Sequence, residues 1–355
     1  MDKQSKAKQT KQTKQAKHNL ENHTDIVNRL RKNKELDLTT LVLKQREING
    51  KWGTEIFNAL TINRTVTYLS ISSCKISVEQ LYNLFDALKV NKTITTLIIS
   101  GIYIGSNGGI ALASALLINN TLNILKLEIN ALGTQGIIAI LNSLKVNKTI
   151  KKLEISRNIK IMYEIDSIAF SNALSDMLLI NSSLTILNLN FDNLKNSDLI
   201  IISEALKYNN TLKVLDIDTN GFDSTGIIAI ANMLKINKTL EMIIQSNYNF
   251  TELCYVALID ALKFNYTIME ICDNYQNELN ELYKEYMERL NASLLRNKVM
   301  RDSQFWSAKK HNIFPQNCHK TIICTLLSAG RFLPALPEEI WRVHIFPHFR
   351  FCDFT

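Results

Sequence analysis

A short alternation of apolar and polar residues recurs along the chain. It is seen in ITTLII (94–99), LNILKL (122–127), IKKLEI (150–155), LTILNL (184–189) and LKVLDI (212–217). An apolar residue at every second position is typical of a β-strand with one buried face. The pattern therefore predicts equivalent strands with one buried column: Leu41, Leu69, Leu97, Leu125, Leu153, Leu187, Leu215, Ile243 and Ile271.

The segments between these strands have helical periodicity. In GIIAILNSLK, which begins at Gly136, the apolar residues from Ile137 to Leu144 are spaced i, i+3, i+4 and i+7, as on one helix face. GIIAIANMLK, which begins at Gly226, is its equivalent. Gly108 occupies the same position in its own repeat, and we expect a tight turn that suits glycine at the start of each helix.

A phrase that joins each helix to the next strand is repeated almost verbatim. LKVNKTI occurs at 88–94 and 144–150, and looser copies bring the starts to 60, 88, 116, 144, 178, 206, 234 and 262. We expect Leu88 and Val90 to seal the helix end, Asn91 and Thr93 to make the turn, and Ile94 to start the strand. A fixed period in this range predicts a solenoid, in which stacked units share one core.

One step of this series, from 144 to 178, is six residues longer than the others. The additional residues lie near NIKIMYEIDSI (158–168). We interpret them as a loop insertion, which a repeat tolerates well. The alternative is a protrusion that binds a partner.

The same phrase creates N-x-T acceptor motifs for N-glycosylation. Because they recur with the period and no secretory signal precedes them, we interpret them as structural turns. They begin at Asn63, Asn91, Asn119, Asn147, Asn209, Asn237 and Asn265.

The predicted fold class is α/β: a curved solenoid with parallel strands inside and helices outside. Neighbouring strands lie roughly 4.8 Å apart and packed helices about 8–10 Å apart, so the stack bends. We expect a disordered basic tail (1–18), the solenoid (19–275), a capping helix (276–300) and a C-terminal helical module (301–355).

The repeats resemble the leucine-rich repeat family, specifically its ribonuclease-inhibitor-like subclass. The family pattern LxxLxLxxNxL is met by LNILKLEINAL (122–132) and, with Phe222 last, by LKVLDIDTNGF (212–222). The resemblance implies that Asn130, Asn158 and Asn220 bond backbone groups in a turn. Other residues, among them Cys74, occupy that position elsewhere, so this ladder is expected to be incomplete.

Side chains that flank the buried column are expected on the concave face, where leucine-rich repeats bind protein partners. We predict a partner-binding face at Lys126, Glu128, Glu154, Asn188, Asn190, Asp216 and Asp218. Its acidic members would attract a basic segment of the partner. The alternative is an ordinary solvated strand surface.

The C-terminal LPEEIW stretch looks like the start of an F-box. The resemblance implies binding of a Skp-type adaptor of cullin ubiquitin ligases through Leu336, Pro337, Glu339, Ile340 and Ile345. The alternative is a helical cap on the solenoid. The cysteines and histidines of this region match no standard zinc module.

Charge and composition add little chemistry. The net charge is +8, and residues 1–18 carry six lysines against one aspartate; this tail could contact nucleic acid or acidic membranes, although a solubilising or targeting role is favoured. The six cysteines have no paired spacing and no secretory signal is seen, so we expect an intracellular, cytoplasmic protein. No catalytic motif, metal site or cofactor is expected. The predicted function is therefore a non-catalytic protein-interaction scaffold, with a ubiquitin-ligase adaptor as the alternative.

Overall fold

A computed structural model describes residues 23–33, 38–158, 164–190, 193–245, 251–272 and 281–303. The predicted basic tail, the adaptor-binding residues and the candidate zinc ligands of the C-terminal region lie outside these ranges. The predicted domain boundaries therefore remain predictions.

Helices and strands alternate along the described chain. The strands are β1 Thr40–Lys44, β2 Glu47–Ile48, β3 Tyr68–Ser72, β4 Lys75–Ile76, β5 Thr96–Ser100, β6 Ile124–Lys126, β7 Lys152–Glu154, β8 Ile186–Asn188, β9 Val214–Asp216, β10 Met242–Ile244 and β11 Glu270–Cys272. The helices are α1 His23–Lys32, α2 Gly50–Ile62, α3 Val78–Val90, α4 Gly105–Leu116, α5 Gly133–Val146, α6 Glu164–Ile180, α7 Asn196–Leu206, α8 Ser224–Leu234, α9 Glu252–Leu262 and α10 Glu281–Ser303.

The strands β1, β3 and β5 to β11 form one parallel sheet in chain order. The pairing register joins Leu41 to Leu69, Leu97, Leu125, Leu153, Leu187, Leu215, Ile243 and Ile271. This register joins every member of the predicted column, of which all but the last, Ile271, are buried; Ile271 is partly buried. The strands β2 and β4 pair separately at one edge of the first repeats.

Each helix packs against the helix of the next repeat, so the helices form a second layer over the sheet. In α5 the predicted apolar face, Ile137, Ile140, Leu141 and Leu144, is fully buried. One continuous core runs between the layers and includes the leucine column. The α/β leucine-rich-repeat solenoid predicted from the sequence is confirmed.

The long step between two repeats leaves the sheet undisturbed. Leu153 still pairs with Leu187 across it, and the helix in between, α6, has 17 residues against 14 in α5. Residues 159–163 lie outside the described ranges, so the loop-insertion interpretation stays a prediction. The longer helix takes up part of the additional length.

Gly136, at the position predicted to suit a tight turn, serves a different purpose, whereas the glycines with positive φ at the start of α4 and α5 are Gly105 and Gly133. Gly136 is not among the glycines with positive φ. Instead, a Cβ on Gly109 would lie 2.8 Å from Gly136 Cα, and a Cβ on Gly136 would lie 3.1 Å from Ser106 Cα. These glycines are therefore required for the close approach of α4 and α5 rather than for a turn.

Within the described residues, every helix is either too short or too polar to span a lipid bilayer.

Candidate partner-binding face

A buried asparagine follows each of the helices α2 to α9 and aligns the next strand. In Asn119 the Nδ2 group donates to the carbonyl oxygens of Leu88 at 2.7 Å and Asn91 at 3.5 Å. Its Oδ1 accepts from the backbone N–H groups of Thr121 at 3.0 Å and Leu122 at 2.8 Å. Each side chain thus joins one repeat to the preceding one and closes its own turn.

The same arrangement recurs throughout the stack. The ladder consists of Asn63, Asn91, Asn119, Asn147, Asn181, Asn209, Asn237 and Asn265, all of them buried. Because the side-chain nitrogens are buried and hydrogen-bonded, the interpretation of these motifs as structural turns is confirmed. One detail was wrong: Leu88 is buried and seals the helix end, but Val90 is 52% exposed and does not.

A second asparagine ladder follows the strands and is incomplete, as the resemblance implied. Asn130 Nδ2 donates to Ile99 O at 2.8 Å, and its Oδ1 accepts from the Ile102 N–H at 3.2 Å. In an earlier repeat, Cys74 Sγ donates to Leu43 O at 3.3 Å in the equivalent place. Burial raises the pKa of the Cys74 thiol, so the group stays protonated and can act as this donor.

Between the two ladders, the strands present one outward residue directly after each buried leucine. The sheet register places Lys126, Glu154, Asn188 and Asp216 on four adjacent strands. The other predicted residues, Glu128, Asn190 and Asp218, lie two positions further along, beyond the ends of the three-residue strands. The structure therefore brings the predicted group together along two neighbouring columns.

Glu154 is the centre of an ion-pair cluster. Its two carboxylate oxygens each lie 2.8 Å from a lysine Nζ, one from Lys126 and one from Lys152. Burial raises the pKa of Glu154, but hydrogen bonds and charge attraction from the two lysines outweigh this and leave the pKa below its ordinary value. The two lysines offset the charge of Glu154, and with the exposed Glu128 two positions beyond Lys126 the four groups sum to zero, so this part of the face is mixed rather than acidic.

The acidic character is concentrated two repeats beyond Glu154. Asp216 accepts from Asn188 Nδ2 at 2.6 Å and from the Asp218 N–H at 3.1 Å. Burial raises the pKa of Asp216, with a further contribution from the negative charges of Asp218 and Glu154. Asp218 is partly exposed and accepts from the Thr219 hydroxyl at 2.9 Å.

A third outward column was missed by the sequence reasoning. It precedes the buried leucines and consists of Thr40, Tyr68, Thr96, Ile124, Lys152, Ile186, Val214, Met242 and Glu270. Tyr68 and the apolar members are partly exposed. The period-two alternation already implied that this position faces outward, as the positions after the leucine do.

The last helix, α10, contacts the final repeats beside this face. Arg301 Nη1 lies 2.8 Å from Glu241 Oε2, while Lys213 Nζ lies 2.8 Å from Glu241 Oε1. Asn297 is buried and donates to Ile268 O at 2.7 Å and Asn265 O at 3.1 Å. This side chain bonds the last member of the first ladder much as another repeat would.

Among the described residues, no group of three His, Cys, Asp or Glu side chains is placed to hold a metal ion. The outward columns offer charge, amides and apolar surface, which suit non-covalent binding.

Two stretches of the chain, 63–79 and 208–231, match the family model described as Leucine Rich repeat. Each stretch contains one ladder asparagine and the strand that follows it.

Several solved structures are similar to this chain. The leucine-rich repeat-containing protein LegL7 from Legionella pneumophila is 16% identical, with 67% of this chain and 86% of that chain covered and a TM-score of 0.39. Rad7, from the crystal structure of the Rad7 and Elc1 complex in yeast, is 15% identical, with 73% and 68% covered and a TM-score of 0.46. The actin-binding site 2 of leiomodin-1 is 24% identical, with 43% and 87% covered and a TM-score of 0.37. No curated protein is a significant match.

Proposed function

Because the chain is a leucine-rich-repeat solenoid, we propose that it is a non-catalytic protein-interaction scaffold that binds its partner on the concave face of the strands. The repeat architecture in general supports a role in protein interaction. We propose in addition that the repeats are of the ribonuclease-inhibitor-like subclass and that the partner binds on the concave side.

The observation that carries the proposal is the adjacency of two unlike columns on the same strands. Ile186, Val214 and Met242 are partly exposed in one column. The neighbouring column holds Asn188 and Asp216 in the same repeats. Apolar surface beside a few fixed polar groups is the composition of a protein-binding site, since the first contributes burial and the second contributes specificity.

Charge favours a particular orientation of the partner. The lysines of the face, Lys126 and Lys152, lie in the earlier repeats, while Asp216 and Asp218 are acidic and belong to a later repeat. An extended partner segment with a basic residue over Asp218 and an acidic residue near Lys126 would match both. We therefore assign the attraction of a basic partner segment, predicted for the acidic members of the face, to Asp216 and Asp218.

Proximity labelling with the full chain tests this proposal. The concave variant Ile186→Glu/Val214→Glu should lose the partners of the unaltered chain, because two new charges would be buried at the interface. The matched control Ile110→Glu/Ile200→Glu places the same charges on partly exposed positions of the helix layer. If both variants label the same proteins as the unaltered chain, the concave face is not the binding site.

The alternative function is a substrate-recruiting adaptor of a cullin-type ubiquitin ligase, with the repeats holding the target. It is supported only by the F-box-like residues Leu336, Pro337, Glu339, Ile340 and Ile345. A pull-down with a Skp-type adaptor, comparing the full chain with one that ends at Gly330, separates the two functions. Equal recovery of the adaptor by both chains would remove this alternative.

A further inference from the structure

A line of exposed apolar side chains follows one edge of the solenoid. Each member directly precedes a ladder asparagine, and each is between 51% and 74% exposed. The apolar ridge, as we call it, consists of Ile62, Val90, Ile118, Val146, Ile180, Tyr208, Ile236 and Phe264. Exposed apolar residues scattered singly need no explanation, but eight in consecutive repeats form an organised surface.

The ladder holds these residues side by side. Asn147 Nδ2 donates to Asn119 O at 2.9 Å, and Asn265 Nδ2 donates to Asn237 O at 2.9 Å, so successive turns are joined directly. All eight turns precede parallel strands in one sheet and therefore lie along the same edge. Seven steps at the strand spacing of roughly 4.8 Å or at the helix spacing of about 8–10 Å give the ridge a length of about 35–70 Å.

Basic side chains flank the ridge on both sides. Two positions in each repeat flank the ridge: the residue directly before the ridge member and the residue directly after the ladder asparagine. Neither position is ever acidic, and the basic residues found there are Arg64, Lys89, Lys92, Lys145, Lys148, Lys207, Lys235, Lys238 and Lys263. Four acidic residues lie one helical turn before ridge members and pair with all five lysines that directly precede the ridge, for example Asp176 with Lys145 at 3.0 Å. The edge retains a net excess of five positive charges over these thirteen groups.

The lysines that follow the asparagines are oriented by backbone groups. Lys148 Nζ lies 3.3 Å from the carbonyl oxygens of both Lys145 and Ile180, and Lys238 Nζ lies 2.6 Å from Phe264 O. These contacts keep the ammonium groups beside the apolar side chains without neutralising their charge. The result is an alternation of cationic and apolar groups along one edge.

We propose that the apolar ridge is a docking surface for an anionic membrane. The apolar side chains would enter the boundary between headgroups and acyl chains, while the flanking lysines contact anionic headgroups, as in interfacial amphipathic elements. Tyr208 and Phe264 suit this boundary because aromatic rings favour the membrane–water interface. This surface is separate from the concave face, so the proposal does not depend on the proposed partner.

The extent of the ridge favours a bilayer over a protein segment as its occupant. A helical segment long enough to cover about 35–70 Å would need about 23–47 residues at about 1.5 Å each, all in register with the repeats. A fluid lipid surface has no register to satisfy and no limit in length. The ridge members also protrude singly rather than lining a groove, which suits shallow insertion.

Sedimentation of the full chain with lipid vesicles tests the proposal. Vesicles of phosphatidylserine and phosphatidylcholine should retain the protein, and vesicles of phosphatidylcholine alone should retain much less. The ridge variant Val90→Ser/Val146→Ser/Ile180→Ser/Ile236→Ser should lower the partition coefficient on anionic vesicles by about tenfold or more. Its members are already more than half exposed, so the fold should persist.

The helix layer offers a control with the same residue types. Val78→Ser/Ile110→Ser/Ile200→Ser/Val256→Ser removes two valines and two isoleucines of comparable exposure away from the ridge, and it should bind vesicles like the unaltered chain. Equal binding by both variants would overturn the proposal, because the lysine-rich residues 1–18 are present in each and would then account for the binding. Absence of vesicle binding by the unaltered chain would overturn it too. The same holds if the ridge variant binds vesicles normally but loses an acidic protein partner that the unaltered chain binds.

Discussion

The two turns of each repeat are built in contrasting ways. The turn from helix to strand contains the same buried asparagine in eight repeats, and its hydrogen bonds barely vary. The turn from strand to helix has asparagine in only some repeats, and Cys74 replaces it in one. One turn is specified by a single residue type, whereas the other tolerates several.

Backbone conformation separates the turns further. The strand-to-helix turns hold residues with positive φ at equivalent positions: Gln45, Ser73, Gly101, Ile129, Arg157 and Thr219. Only one of these is glycine, and Ile129 and Thr219 are β-branched, for which this conformation is strained. The first turn is therefore nearly optimal, while the second stores strain.

The largest effect is expected in the complete ladder. Asn119→Ala would leave two carbonyl groups and two N–H groups without their side-chain partner in a buried turn, and should lower the free energy of unfolding by about 3 kcal/mol. Chemical denaturation of the full chain measures this. The neighbouring exposed residue supplies the control, since Asn120→Ala should change stability by less than about 0.5 kcal/mol. Similar midpoints for the two variants would contradict the structural role of the ladder.

A smaller loss is expected in the incomplete ladder. Asn220 Nδ2 donates to Leu189 O at 3.0 Å and Ile217 O at 2.8 Å, but this residue is only partly buried. Because water can replace part of this bonding, Asn220→Ala should cost about 1–2 kcal/mol. Chemical denaturation of this variant and of Asn119→Ala under the same conditions gives the ratio of the two losses in the free energy of unfolding. A loss as large as that of Asn119→Ala would show that the two turns are equivalent after all.

Relief of strain should give a gain of still smaller size. Ile129 has φ of 54° and is 43% exposed, so Ile129→Gly removes little burial. We expect stabilisation by about 1 kcal/mol, because glycine adopts this conformation freely. As a control, Ile110→Gly replaces an equally exposed isoleucine inside α4 and should destabilise by about 1 kcal/mol. A midpoint temperature of thermal unfolding that is lower for both variants than for the unaltered chain would contradict the strain explanation.

The strand between the turns should respond least, and in opposite directions at two carboxylates. The folded-state pKa of Glu154 is lowered, so its contribution is present above the unfolded pKa and is lost as pH falls through the folded value. The pKa of Asp216 is raised, so its ionised form opposes folding near neutral pH and this cost disappears in acid.

We therefore expect Glu154→Gln to destabilise and Asp216→Asn to stabilise the chain at about pH 7, each by less than about 1 kcal/mol. Both differences from the unaltered chain should shrink near about pH 3, where unperturbed carboxylates are protonated. Urea denaturation at the two pH values measures this. Effects of the same sign at neutral pH would show that the lysine cluster does not distinguish the two groups.

Much of the fold was predictable because, in a repeat protein, residues at the same position of successive repeats also lie next to each other in the structure. Leu97 and Leu125 occupy the same place in successive units, and their pairing follows from that place. The site was less predictable. Glu154 pairs with Lys152 of its own strand, which the period-two pattern places on the same face, and with Lys126 of the preceding strand, which only the sheet register brings beside it.

The period, the leucine column and the asparagine turns can be read from the order of the amino acids alone, because each is a local requirement that every unit must meet. The tertiary structure alone decided which outward residues become neighbours, and it exposed Val90 and its equivalents along one edge. Exposure and charge pairing depend on side chains from other repeats, and the sequence pattern does not give the distances to those side chains. Burial arises only when neighbouring repeats pack against each other, whereas periodicity is already present in the amino-acid sequence.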